Sequence, residues 1–173
     1  MGALSGLKKA TRGYVSNYLQ PGSYIVRLDA SQLFDSESKG EMWKNTLTVL
    51  AVEEGEHKVG EEVHHFISMT KGDGAKKMFQ QKLKAFIAGV LDCEDEDVDE
   101  AAAEKVCGDE QVMAGMVFRV QARNQASRKS KDEDGNPKVF TNYSWFPQMS
   151  PAEITEAIGE EAVAEFFPNG LDD

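Results

Sequence analysis

A chain of 173 residues, 40% apolar and 28% charged, suits one domain of ordinary size with a real core. No apolar run approaches the ~20 residues of a membrane span, and Met1–Arg12 lacks the apolar core of an export signal, so a soluble cytoplasmic protein is expected. The net charge of −11 speaks against a nucleic-acid partner only until it is divided along the chain.

Residues 92–112 hold ten Asp/Glu against one Lys/Arg, and residues 151–173 hold seven against none. These two segments carry all the negative excess. Residues 1–91 hold 12 Lys/Arg and 10 Asp/Glu, and residues 113–150 hold 6 and 3, so the remainder is mildly basic. The two cysteines, Cys93 and Cys107, lie in the acidic segment and are expected as free thiols.

In chain order, residues 1–20 carry Lys8, Lys9, Arg12, Tyr14 and Tyr18. They read as a basic-aromatic arm or as a lead-in whose tyrosines pack on the core. Pro21-Gly22 is a turn signal. Ser23–Ala30 alternates, with Tyr24, Val26 and Leu28 on one face and Ile25, Arg27 and Asp29 on the other. The polar stretch Asp35–Gly40 reads as a hairpin loop. Met42–Val52 and Glu62–Thr70 are the next two strands. From Ala75 to Leu91 the period changes. Phe79, Leu83, Phe86, Ile87, Val90 and Leu91 follow the spacing of an amphipathic helix, with Asp73 as its expected cap.

Asp92–Val112 is acidic and reads as a solvated, mobile insert with a short helix near Ala101–Val106. Met116, Phe118, Val120 and Ala122 then alternate with Val117, Arg119, Gln121 and Arg123, as a strand with one core face does. A polar connection with Arg128, Lys129 and Lys131 leads through Asp134-Gly135-Asn136-Pro137 to a return strand with Lys138, Phe140, Tyr143, Trp145 and Phe146. Ser150, Pro151 and Glu153 spell a capped helix start. Ile154, Ile158, Ala162 and Phe166 extend one apolar stripe from it.

The element order is mainly β: three strands, a helix, two strands and a C-terminal helix. Five antiparallel strands with a helix between the third and fourth form an OB-fold, a small Greek-key barrel. The expected organisation is one such domain over residues 1–150, interrupted by the acidic insert 92–112, and an acidic helix or tail over 151–173. Over roughly Gln20–Gln148 the chain resembles the phage-type single-stranded DNA-binding proteins. The resemblance rests on Pro21-Gly22-Ser23-Tyr24, Gly40, Trp43, Val59-Gly60, the Lys/Phe-rich helix and Asn142-Tyr143-Ser144-Trp145-Phe146-Pro147. It implies sequence-tolerant coating of single strands in phage replication or recombination inside an infected bacterial cell. It also implies that the acidic C-terminal segment recruits replication or recombination proteins and competes with DNA. The chain ends Leu171-Asp172-Asp173, without the Pro-Phe tip common in bacterial relatives of that kind.

The chemistry expected of such a surface is simple. Cations meet phosphates, and unpaired bases stack on rings. The candidate phosphate contacts are Arg27, Lys44, Arg119, Arg123, Arg128, Lys129, Lys131 and Lys138. The candidate stacking rings are Trp43, Phe66, Tyr143 and Trp145, each of which could equally fill the barrel. No phosphate loop, nucleophile elbow or zinc-protease motif is present. His64 and His65 are neighbours on a strand and point apart, and Cys93 and Cys107 lack metal-ligand spacing. The expectation is therefore a non-enzyme without cofactor or metal, with homo-oligomerisation open. The alternative is a protein-interaction or DNA-mimic module working through the acidic segments.

Overall fold

The computed structural model describes residues 17–36, 40–69 and 74–171. Lys8, Lys9, Arg12, Tyr14 and the expected cap Asp73 lie outside that range. Five antiparallel strands form one sheet: β1 Gly22–Ser36, β2 Gly40–Gly55, β3 Glu62–Ser68, β4 Val117–Lys131 and β5 Pro137–Trp145. Their order is β3-β2-β1-β4-β5. Helix α1 (Ala75–Leu91) follows β3, and the short α2 (Glu100–Cys107) precedes β4. Helices α3 (Pro151–Ile158) and α4 (Glu160–Phe166) end the chain. The mainly β class and the place of the long helix agree with the sequence reading.

Among the described residues no ladder joins β3 to β5, so the sheet is open. It nevertheless curls. The His65 ring of β3 lies 4.5 Å from Tyr143 and 4.8 Å from Trp145, both on β5. Asn17–Leu19 fills the space between these edges. The His64 N–H donates to the Asn17 carbonyl at 2.8 Å, and the Leu19 N–H donates to the His64 carbonyl at 2.9 Å. On the other side the Tyr143 hydroxyl donates to the Leu19 carbonyl at 3.5 Å.

The core lies inside the curl. Alternation sends Tyr24, Val26 and Leu28 of β1 inward with Trp43, Leu47 and Val49 of β2. Phe79, Phe86, Ile87 and Val90 supply the stripe of α1. Gly89 lets α1 lie against β5, since a Cβ there would stand 3.0 Å from the Trp145 carbonyl oxygen. Gly55 holds φ 127° at the end of β2, where a Cβ would strike the Tyr24 hydroxyl.

Three expectations change, at the start of α1, in the acidic insert and in the C-terminal stripe. Helix α1 starts after Gly74, which sits at φ 83° and gives no side-chain cap. The acidic insert is anchored rather than mobile. Val98, Val106 and Met113 are buried beneath it, and Asp99 caps α2 by accepting the Ala102 N–H at 2.8 Å. The Gln111 amide closes the far end by bonding both backbone groups of Ser31. Three apolar side chains are thus enough to dock ten carboxylates that face outward. The C-terminal stripe is split into two helices by Gly159, at φ 88°. Its Ser150–Glu153 capping box and Pro151 start are as read from the sequence. Together α3 and α4 cover Ile25, Leu50 and Val117 on the outer face of the sheet with Ile154, Val163, Phe166 and Phe167.

Candidate nucleic-acid interface

Inward-pointing positions are fixed by the core, so outward positions follow by alternation. One half of the outer face is closed by α3 and α4. Arg27 sits at its border and is fully engaged there. Its Nε donates to Asp29 at 2.8 Å, one Nη to the Phe166 carbonyl at 2.6 Å, and its guanidinium lies 5.5 Å from the Phe167 ring centre. It clamps the C-terminal helices and is not an open phosphate contact. Arg119, also on this face, pairs with Glu53.

Three of the four expected stacking rings belong to the core. Trp43 is 1% exposed and donates its indole N–H to Asn45 at 2.8 Å. Tyr143 and Trp145 pair across the ladder with Ala122 and Val120, which face inward, so their rings follow. Trp145 packs 4.8 Å from Phe86 and 5.9 Å from Phe118. Only Phe66 stays on the outside.

Among the described residues no element covers the other half of the outer face, and it carries rings that alternation alone hides. A bulge between Leu28 and Ala30 reverses the parity of β1. Phe34, which would share the inward side of Leu28 in a regular strand, therefore points out. The cross-strand rows become Phe34–Met42–Ser68, Gln32–Lys44–Phe66 and Ala30–Thr46–His64. Tyr18 joins them edge-on to Phe66 at 5.5 Å. Tyr18 is 49% exposed and Phe34 39%. Phe34, His64 and Tyr18 thus line a face with Lys44 and Phe66.

The remaining cations stand on a separate feature. β1 begins at Gly22, which pairs with Ala122. Past that point β4 and β5 continue as a two-stranded ribbon. Arg128, Lys129 and Lys131, expected in a connecting loop, belong to β4: pairing runs through Asn124–Thr141 to Ala126–Val139, an irregular stretch carries Arg128 and Lys129, and pairing resumes at Lys131–Pro137. The tip is closed by Asp132, whose carboxylate accepts the N–H groups of Asp134 and Asn136 at 2.9 Å. Arg123, Arg128, Lys129, Lys131 and Lys138 are all exposed. Among the described residues none of these five is in an ion pair. Val139 and Phe140 are exposed beside them, at 63% and 46%. The ribbon and the open face border the same lead-in segment, since Tyr18 meets Phe66 on β3 while Leu19 meets Tyr143 on β5.

No family model and no curated protein matches this sequence. Among the described residues no three His, Cys, Asp or Glu side chains are grouped to hold a metal ion. No described helix is long and apolar enough to cross a membrane.

Beneath the open face lies a buried polar network. The Asn45 carbonyl oxygen accepts from the Ser31 hydroxyl at 2.7 Å and from Trp43 at 2.8 Å. The Asn45 amide stands 3.3 Å from His65 Nδ1. Because the amide nitrogen can only donate, Nδ1 accepts and the ring proton sits on Nε2. Burial pushes the His65 pKa down to about 3, with nearby Lys82 acting the same way. Above pH ~6.5 both folded and unfolded chains carry a neutral imidazole there. Below it the unfolded chain binds a proton that the folded one refuses until about pH 3. Stability should therefore fall on acidification by up to ~1.4 kcal/mol per pH unit across that window. Glu61 reinforces the trend near the acid end. The Asn17 amide, together with His57, holds its carboxyl below the usual range, so the stability it confers is lost as pH falls through that lowered value. Urea midpoints at pH 7 and pH 5 measure the slope; equal midpoints would contradict it.

Proposed function

We propose that the chain is a non-enzymatic, sequence-tolerant single-stranded DNA-binding protein acting in DNA replication or recombination. The reading takes the sheet as an OB-type barrel left open between β3 and β5. The strand order, the helix between β3 and β4, and the meeting of β3 and β5 side chains support that assignment. The observation that carries the function is the ribbon. Five exposed cations share a two-stranded projection with the exposed side chains of Val139 and Phe140, and among the described residues no third strand lies beside it. A single strand matches both properties, because its phosphates take the charges and its bases have faces to bury. A duplex hides those faces. The open half of the sheet adds a second stretch of the same chemistry, with Phe34, Phe66 and Tyr18 as platforms and Lys44 among them.

Replacing Phe34, Phe66 or Tyr18 with alanine should each cost ~1–3 kcal/mol of single-strand affinity. Stability should change less at Tyr18 and Phe34, which are 49% and 39% exposed, than at the buried rings. Trp43→Ala and Trp145→Ala should do the reverse and lower stability by ~3–5 kcal/mol. Three ring variants that bind like the unmodified chain would remove the open face from the site.

A further inference from the structure

Two strands without a third are marginally stable in water, and past Ala122 the ribbon of β4 and β5 has no third strand among the described residues. The direction of its backbone groups shows what each edge offers. The Phe146 N–H donates to the Arg119 carbonyl at 3.1 Å. By alternation Ser144, Asn142 and Phe140 also turn their backbone groups toward β4, while Tyr143, Thr141 and Val139 turn theirs to the far edge of β5. On β4 it is Asn124 and Ala126 that face away, toward the side where β1 has stopped. The two edges differ in charge. Through this stretch β4 carries Arg123, Arg128 and Lys129, whereas Val139–Tyr143 of β5 carries no charge. Val139 and Phe140 are exposed there.

We propose that two copies of the chain join β5 to β5 across a two-fold axis at Phe140, so that their ribbons become one four-stranded sheet. The backbone sets the register. Antiparallel residues that exchange hydrogen bonds must both face the shared edge. With the axis at Phe140, Val139 of one copy meets Thr141 of the second, and both face that edge. The two Phe140 rings then stand opposite each other at a position without backbone bonds between them, where side chains come closest. Lys138 meets Asn142 of the second copy, so no like charges are opposed. Lys138–Asn142 is thus complementary to itself in hydrogen bonds, rings and charge, which favours a second copy over a foreign strand. Joining two β4 edges would instead crowd their arginines and lysines together. Lys138 shares the Phe140 side of the ribbon by alternation, and Arg123 shares it by pairing with Asn142. The joined sheet therefore sets the paired rings between cations of both copies. The proposal goes beyond the single-strand reading and does not depend on it.

Sedimentation velocity of the full chain from micromolar to millimolar concentration, without DNA, tests the pairing. An equilibrium between monomer and dimer is expected. Thr141→Pro removes an N–H that faces the far edge and none that bonds β4, so it should shift the chain to monomer with its circular dichroism and urea midpoint kept. A cross-link decides the matter if that variant fails to fold. Lys138→Cys and Asn142→Cys chains are oxidised separately and as a mixture. Opposite residues at such a position stand ~4.5 Å apart at Cα, within reach of a disulfide. Only the mixture should yield a disulfide between the two introduced thiols, distinguished from Cys93 and Cys107 by peptide mass spectrometry. A monomer at every concentration, the result if the chain's own residues 1–16 occupy that edge, overturns the proposal. So does a dimer that a folded Thr141→Pro leaves unchanged, or a mixture without that link. Single-strand binding by such a monomer would leave the DNA reading in place.

Discussion

Replacing Arg123, Arg128, Lys129, Lys131 and Lys138 together with glutamine should weaken single-strand binding by about two orders of magnitude at low salt. The physical cause is counterion release. Each phosphate neutralised by a cation frees bound ions and adds ~0.7 to the salt slope on a single strand. Five lost contacts should flatten the logarithmic slope by ~3.5, and single replacements by ~0.7 each. Stability should stay within ~0.5 kcal/mol, because these side chains are exposed and outside the ion pairs of the fold. Arg119→Gln is the internal control. Its guanidinium already faces Glu53, so it should move the slope much less. An unchanged slope in the five-fold variant would mean that DNA, if bound, is held elsewhere.

Asn45→Leu should lower the unfolding free energy by at least ~3 kcal/mol. Leucine fits the volume but offers no acceptor. The Trp43 indole N–H and the Ser31 hydroxyl would lose their shared partner, and His65 Nδ1 would lose its donor, all in a buried site. Each orphaned group costs ~1–3 kcal/mol. The same network joins β1, β2 and β3 directly behind Lys44 and Phe66, so its loss should also loosen the open face. A urea midpoint that shifts by less than ~1 kcal/mol equivalent would show that water or a neighbour satisfies these groups. His65→Gln separates the roles, since it keeps polar capacity and removes the acid-side slope.

Much of the frame is legible in the sequence for identifiable reasons. The period of Phe79–Leu91 places α1 to the residue. Ser150, Pro151 and Glu153 state their own geometry. What could not be read depends on neighbours. Alternation says that Arg27 and Val117 face outward, but not that α3 and α4 come back to cover them. It says that Trp145 shares a face with Tyr143, but only the pairing with Val120 and Ala122 shows that this face is the core. One bulge at Asp29 reverses every later side chain of β1, so alternation carried on from Tyr24, Val26 and Leu28 would place Phe34 in the core. The β4 half of the ribbon reads as a loop because its polar residues have no apolar alternation to betray a strand. Beside its backbone ladder, only polar side chains tie the two strands, Thr141 to Asn124 and Asn142 to Gln125.

The C-terminal segment illustrates the same limit on charge counting. Counted as charge alone, its carboxylates would compete with DNA for the basic hairpin, and removing residues 151–173 would tighten binding at low salt. In the structure the segment packs over Ile25, Leu50 and Val117 and is held by Arg27. Truncation would strip apolar cover from the sheet as well as charge, and the two effects could not be told apart.

The most direct measurement is fluorescence anisotropy of the full chain with a labelled oligo-dT of ~20 nucleotides and with the matching duplex, across a salt series. Preferential binding of the single strand, weakening steadily as salt rises, is the expected result. Equal affinity for the duplex, or no binding at low salt, would contradict the single-strand reading and turn attention to the ordered acidic surface around α2 as a site for a basic protein.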